Sequence, residues 1–462
     1  MLLAFIALYV LLTIAIGFVA SRNVKNTSDF VVAGRKMPLA VAASAMFATW
    51  FGSETLMGAP SVFVEGGVLA IIEDPFGAAM CLILVGALVA RPLYRLNILT
   101  FNDFYRIRFG RKAEIVSAVF MIPSYLGWIA GQMVAMAVII NVLTGISLFW
   151  GVAACTVVVV IYTYVGGMWA VSITDFVQTI MIIVGILALA WEVNHQAGGP
   201  AAVFASQPDG FFRFVPEWNL DHIVHYFAAW ITIGLGSIPG QDVFQRVMSA
   251  KDEKTAVRSG YVSGLMYLTI GLLPLYIGLC AKYLHPELLD GDNQALLPAM
   301  TLKYSGLGIQ VLFFGALLSA ILSTTSGAIL APATVLGENL VKPMFHNLSD
   351  RHLLLVMRLG VILIAAASMW MALSGSSIFE LVAQSSALSL VSLFVPLMAG
   401  LYWPRANGAG ALAAMVVGMG TWIVCEFFLE THWPSLVYGL FFSVFAMVLL
   451  SLLTGKSHSG SR

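Results

Sequence analysis

The chain has 462 residues, 23 basic and 23 acidic, with 60% of its residues hydrophobic, 10% charged and a mean hydropathy of +0.92. That much apolar surface exceeds what a water-soluble domain of this length can bury, so the solvent of the fold is lipid. The balanced charge gives no field for nucleic acid, and the sequence has no His-Glu-x-x-His, no Gly-x-Ser-x-Gly elbow and no cysteine metal cluster, which excludes an enzyme of those kinds.

In chain order, thirteen apolar stretches are each about long enough to cross a hydrocarbon layer of about 30 Å as a helix. They fall at 1–20, 38–64, 67–90, 113–141, 147–165, 168–191, 223–249, 256–281, 308–335, 353–373, 377–402, 409–429 and 436–454. The first lacks a basic leader and a small-residue cleavage site, so it stays as a helix rather than a cleaved signal. With the N-terminus outside and the C-terminus cytoplasmic, 19 of the basic residues face the cytoplasm and only Arg213, Lys282 and Lys303 face out, the bias expected for the cell (inner or plasma) membrane. Arg246 is counted among the 19 as a loop residue. The sequon at Asn347 lies on a cytoplasmic loop and carries no weight.

The second stretch is interrupted at Ala48-Thr-Trp-Phe-Gly52-Ser53-Glu54, with Gly58 and Pro60 behind it, and the seventh at Gly234-Leu-Gly236-Ser237-Ile-Pro239-Gly240-Gln241-Asp242. Each opens a block of five stretches, so 38–191 and 223–402 read as inverted repeats, with 1–37 before them and 409–454 after. Paired interruptions of this kind mark discontinuous helices whose freed carbonyls bind ions and solute near mid-membrane. Glycine and proline also serve plain close packing, but a carboxylate such as Glu54 near mid-bilayer costs about 2.5 to 3.5 kcal/mol on insertion scales and calls for a function.

The third stretch carries Glu73-Asp74-Pro75 about six residues in, a pair that either attracts a cation or protons or sits in a wet outer vestibule. The fourth carries Trp128 and Gln132. A tight Gly166-Gly167 turn precedes the sixth, where Asp175 and Gln178 follow. In the ninth, Ala320, Ser323, Thr324 and Gly327 fall at i, i+3, i+4 and i+7, a stripe that offers hydroxyl oxygens to a hard cation, or else bonds back to its own helix. Gln384, with Ser385 and Ser386, marks the eleventh stretch. Cys81, Cys155, Cys280 and Cys425 are scattered singly and read as packing residues.

Gly166-Gly167 through Thr174-Asp175 and Gln178 resembles the signature of the sodium:solute symporter family, and Ala320 to Thr324, Ala48 to Phe51 and Gln241 to Arg246 resemble its sodium-site helix and its two broken helices. The resemblance implies an all-α leucine-transporter-like fold of about thirteen helices in a 5+5 inverted repeat. It implies sodium as the coupling ion, no cofactor, and sodium held by main-chain oxygens of Ala48, Phe51 and Ala320 with the hydroxyls of Ser323 and Thr324. Members with a second sodium ion place it at the position of Asp175, with Ser326 nearby; here Gly327 replaces one expected hydroxyl. The pattern is nearest the choline carriers, whose tryptophan between Pro239 and Gln241 is replaced by Gly240. The expected solute site comprises Trp50, Glu54, Trp128, Gln132, Gln241 and Gln384, for a small cationic or zwitterionic solute. A proton-coupled or uncoupled carrier, a channel and a solute sensor are the alternatives, and the oligomeric state is left open.

Overall fold

The computed structural model describes residues 2–21, 31–345 and 349–455. Arg22, Lys25, Lys456, Arg462 and the sequon asparagine Asn347 lie outside them. The described chain is all-helical, as lipid demands, because a helix satisfies its own backbone groups where no water can.

Among the described residues nine helical stretches are long and apolar enough to cross a membrane, or ten when Leu220–Gly236 and Gln241–Ser249, bent by 49°, count as one. The count falls short of thirteen for identifiable reasons. The second expected span is divided by its break, leaving Leu39–Trp50 at 12 residues. The fifth and sixth run together as one helix, Leu148–Gln196, with separate apolar parts Leu148–Ile161 and Val171–Gln196. The expected turn at Gly166-Gly167 is therefore helical backbone; glycine inside a helix costs only about 1 kcal/mol, and lipid offers no competing hydrogen bonds. The first expected span forms a helix, Leu2–Ser21.

The helix Leu307–Val335 runs through the core, with an unbroken buried run from Ser319 to Val335. Gly315 accepts the Tyr9 ring of the first helix so closely that an added Cβ would meet it at 2.7 Å. Distant segments are tied by backbone bonds, with the Met37 N–H donating to Ser249 O at 3.0 Å and the Lys251 N–H donating to Met37 O at 2.9 Å. This links the entry of the first broken helix to the exit of the second. All four cysteines are buried and unpaired.

Candidate functional site

Helix Leu39–Trp50 stops because Phe51 leaves helical geometry, with ψ at 68°. The Gly52 N–H, which in an unbroken helix would bond the Ala48 carbonyl, instead donates to Trp50 O at 2.8 Å. The Ala48 carbonyl is thereby released. Gln132 replaces the lost helical acceptor for the next residue: its Oε1 receives the Ser53 N–H at 3.2 Å. A Cβ on Gly52 would stand 2.9 Å from that same oxygen, which is why glycine occupies the break.

The released Ala48 carbonyl faces Thr324, whose hydroxyl donates to it at 3.0 Å across 276 residues of sequence. On the preceding residue, the Ser323 hydroxyl donates to Asp175 Oδ1 at 2.7 Å and lies 3.5 Å from the Thr174 hydroxyl. The stripe read from the sequence thus meets both the break and Asp175, with Ser326 buried a further turn along. Arg246 fills the space beside Gly327. A Cβ there would meet Arg246 Nη2 at 2.8 Å. Arg246 is 2% exposed, so the expectation of a cytoplasmic loop residue is corrected: it sits in the helix Gln241–Ser249, donates from Nη1 to the Asp242 main-chain oxygen at 3.0 Å, and leaves Nε and Nη2 without partners.

The second broken helix turns at Ser237–Gly240, where Gly236 lies so close to the Ser386 carbonyl that a Cβ would be 2.3 Å from its oxygen. Beyond the turn, Asp242 joins the two breaks: Trp50 Nε1 donates to its Oδ2 at 3.1 Å and the Tyr125 hydroxyl to its Oδ1 at 2.5 Å. Gly240 leaves room for this. Any Cβ at 240 would be 2.6 Å from Asp242 Oδ1.

Between the breaks lies a small cavity lined by Trp50, Glu54, Asp74, Tyr125, Trp128, Asp242, Tyr267 and the hydroxyls of Ser237, Ser385 and Ser386. The Tyr267 hydroxyl lies 2.6 Å from Asp74 Oδ2 and 3.1 Å from Trp50 O, and Thr55 donates to the same Asp74 oxygen at 3.0 Å. The other Asp74 oxygen and Glu54 Oε1 are buried without partners.

Of the expected solute residues, Trp50, Glu54 and Trp128 face this cavity and three do not. Gln132 braces the first break. Gln241 turns away, its Oε1 accepting the Phe101 N–H at 2.6 Å and so capping the helix Phe101–Phe109. Gln384 is exposed and lines a separate outer cavity with Glu73, Trp422 and His432. The Glu73-Asp74 pair divides accordingly, Asp74 to the central cavity and Glu73 to the outer one. Tyr125, Tyr267 and Asp242 complete the site without figuring among the expected residues. Asp242 stands beside a visible break, but each tyrosine sits in an apolar helix with no local pattern to mark it.

Residues 30–418 match the model of the Sodium:solute symporter family. The human high affinity choline transporter 1 is 27% identical over 444 residues, covering 90% of this chain and 75% of that protein. The high-affinity proline transporter PutP of Bacillus subtilis is 28% identical over 457 residues, covering 95% of each. Among solved structures, a Na+-coupled sialic acid symporter in a substrate-bound outward-open state shares the fold with a TM-score of 0.85 at 18% identity, covering 100% of this chain and 99% of that one. Mhp1, a nucleobase-cation-symport-1 transporter, gives 0.63 at 14% identity, covering 93% and 96%.

Proposed function

The chain belongs to the sodium:solute symporter family, and from that premise we propose that it is a secondary active transporter carrying a small organic cation together with one sodium ion by alternating access. The hydrogen bond from Thr324 to the released Ala48 carbonyl carries this reading. It brings together two of the five oxygens expected to hold sodium, one from a broken helix and one from the helix Leu307–Val335. A sodium ion there bridges the two elements, and whatever holds that bridge biases the neighbouring cavity toward the state that binds solute. At 100 mV each positive charge moving inward contributes about 2.3 kcal/mol, and a cationic solute adds its own charge to that of sodium.

Asp175 and Ser326 form the expected second ion site. Here the buried Arg246 guanidinium stands beside Gly327 and within electrostatic reach of Asp175, supplying a fixed positive charge where a second ion would sit; this supports one ion per cycle. The carboxylates in the cavity, with Trp50 and Trp128, support a cationic solute. Around this site the reading retains thirteen spans with the N-terminus outside, inverted repeats at 38–191 and 223–402, the extra helix and loop of 1–37, and two closing helices in 409–454. Proton coupling is the second reading, favoured by the unpartnered oxygens of Glu54 and Asp74.

Sodium titration of solute uptake into proteoliposomes separates these. A hyperbolic dependence is expected, shifted to at least tenfold higher sodium (roughly 1.4 kcal/mol or more) in Ser323→Ala with Thr324→Ala. Unchanged sodium dependence in that variant would sink the assignment, and a sigmoidal wild-type curve would sink the single ion.

A further inference from the structure

We infer that the solute carries N–H donors on its cationic centre, as a primary or secondary ammonium or a guanidinium does, and that the cavity discriminates against quaternary ammonium. This deepens the proposed function and rests on it.

The central cavity contains two carboxylates that are more than nine-tenths buried, Glu54 at 5% and Asp74 at 1% exposure, and each keeps one oxygen without a hydrogen-bond partner. Both line the same space beside the first break. A buried acceptor left unsatisfied is costly, and a carboxylate oxygen is best met by a charged donor. A primary ammonium brings three donors and a guanidinium five, in an arrangement that can reach two neighbouring carboxylates at once. A quaternary ammonium brings none: it would cover both oxygens with methyl groups and leave them unpaired.

The aromatic side of the cavity is equally ill-suited to a quaternary centre. Such a centre is held by ring faces on several sides, each worth about 0.5 to 2 kcal/mol. Here the polar edges of Trp50 and Tyr125 are fixed on Asp242, and no side chain can grow from position 240 without displacing that carboxylate, whose oxygen lies 2.6 Å from where a Cβ would be. The wall that a ring at 240 would supply is replaced by a third carboxylate. The unpartnered oxygens of Glu54 and Asp74 make a site that grips hydrogens on nitrogen, whereas a cage of rings grips methyl groups.

The test uses full-length protein in lipid nanodiscs with sodium present, and thermal stabilisation by matched pairs: ethanolamine against choline, and putrescine against hexamethyl-putrescine. The N–H-bearing member of each pair is expected to act at concentrations about tenfold or more below its permethylated partner, the effect of one lost hydrogen bond to a charged group. Glu54→Gln and Asp74→Asn should each narrow that ratio. If either variant does not fold, the wild-type pairs decide alone. Sodium-dependent stabilisation by choline equal to or better than by ethanolamine overturns the inference and leaves the symporter reading standing. Ammonium binding undiminished in folded Glu54→Gln and Asp74→Asn also overturns it. Absence of sodium-dependent binding by any cation of either kind overturns the cationic reading itself, and this inference with it.

Discussion

The chain has two helix breaks, after Trp50 and at Ser237–Gly240, and one is open where the other is closed. At the first, the chain frees the Ala48 carbonyl and turns Glu54 into the cavity with an unpartnered oxygen. At the second, the acceptor oxygens of the first two residues already have protein partners: Gln241 Oε1 holds the Phe101 N–H, and Asp242 takes hydrogens from Trp50 and Tyr125. On the proposed function the first break is thus the one that binds and the second the one that positions. An unwound helix becomes a ligand site only when its liberated groups are left for a ligand, and the second break spends most of its own on neighbouring helices.

Substitutions at the two breaks should therefore fail in different ways. The largest effect is expected for Gly236→Ala, because the new Cβ would meet the backbone carbonyl of Ser386 at 2.3 Å and neither backbone can give way cheaply. Overpacking of this kind costs about 1 to 3 kcal/mol, and a lowered midpoint in thermal unfolding of the purified protein checks it. Gln241→Ala should cost about 1 to 2 kcal/mol by leaving the Phe101 N–H unpaired, with solute affinity little changed once stability is allowed for. If it abolishes solute binding in folded protein, the division between a binding break and a positioning break fails. The smallest loss of stability belongs to Gly52→Ala, about 1 kcal/mol or less, because its Cβ meets only the movable amide of Gln132. That variant should nonetheless weaken sodium dependence more than Gln241→Ala does, and the reverse order would invert the comparison.

Much of this arrangement is legible in the sequence. Gly52 and the Gly236–Gly240 run mark both breaks, and the 3.6-residue period alone puts Ser323 and Thr324 on one stripe. Direction is harder to read. Successive helical residues point about 100° apart, so an error of one or two residues in a boundary turns a side chain from the cavity to a neighbouring helix. Gln132, Gln241 and Gln384 show this: each lies near the site, and one braces, one caps and one faces the outer cavity. Arg246 misleads in another way, because a basic residue shortly after a break looks like the start of a cytoplasmic loop until the helix Gln241–Ser249 is seen to bury it. Partnerships such as Asp242 with Trp50, 192 residues apart, have no trace in local pattern.

The phenol of Tyr267 has a single hydrogen and three oxygens that could receive it, on Asp74, on the Thr55 hydroxyl and on the Trp50 carbonyl at the last turn before the first break. It can serve only one of them at a time. A positive charge arriving at Asp74 weakens that oxygen's claim and lets the hydrogen turn toward the backbone. Through one oxygen the side chain thus joins a carboxylate of the cavity to the last turn of the helix Leu39–Trp50, and it does so with no charge of its own.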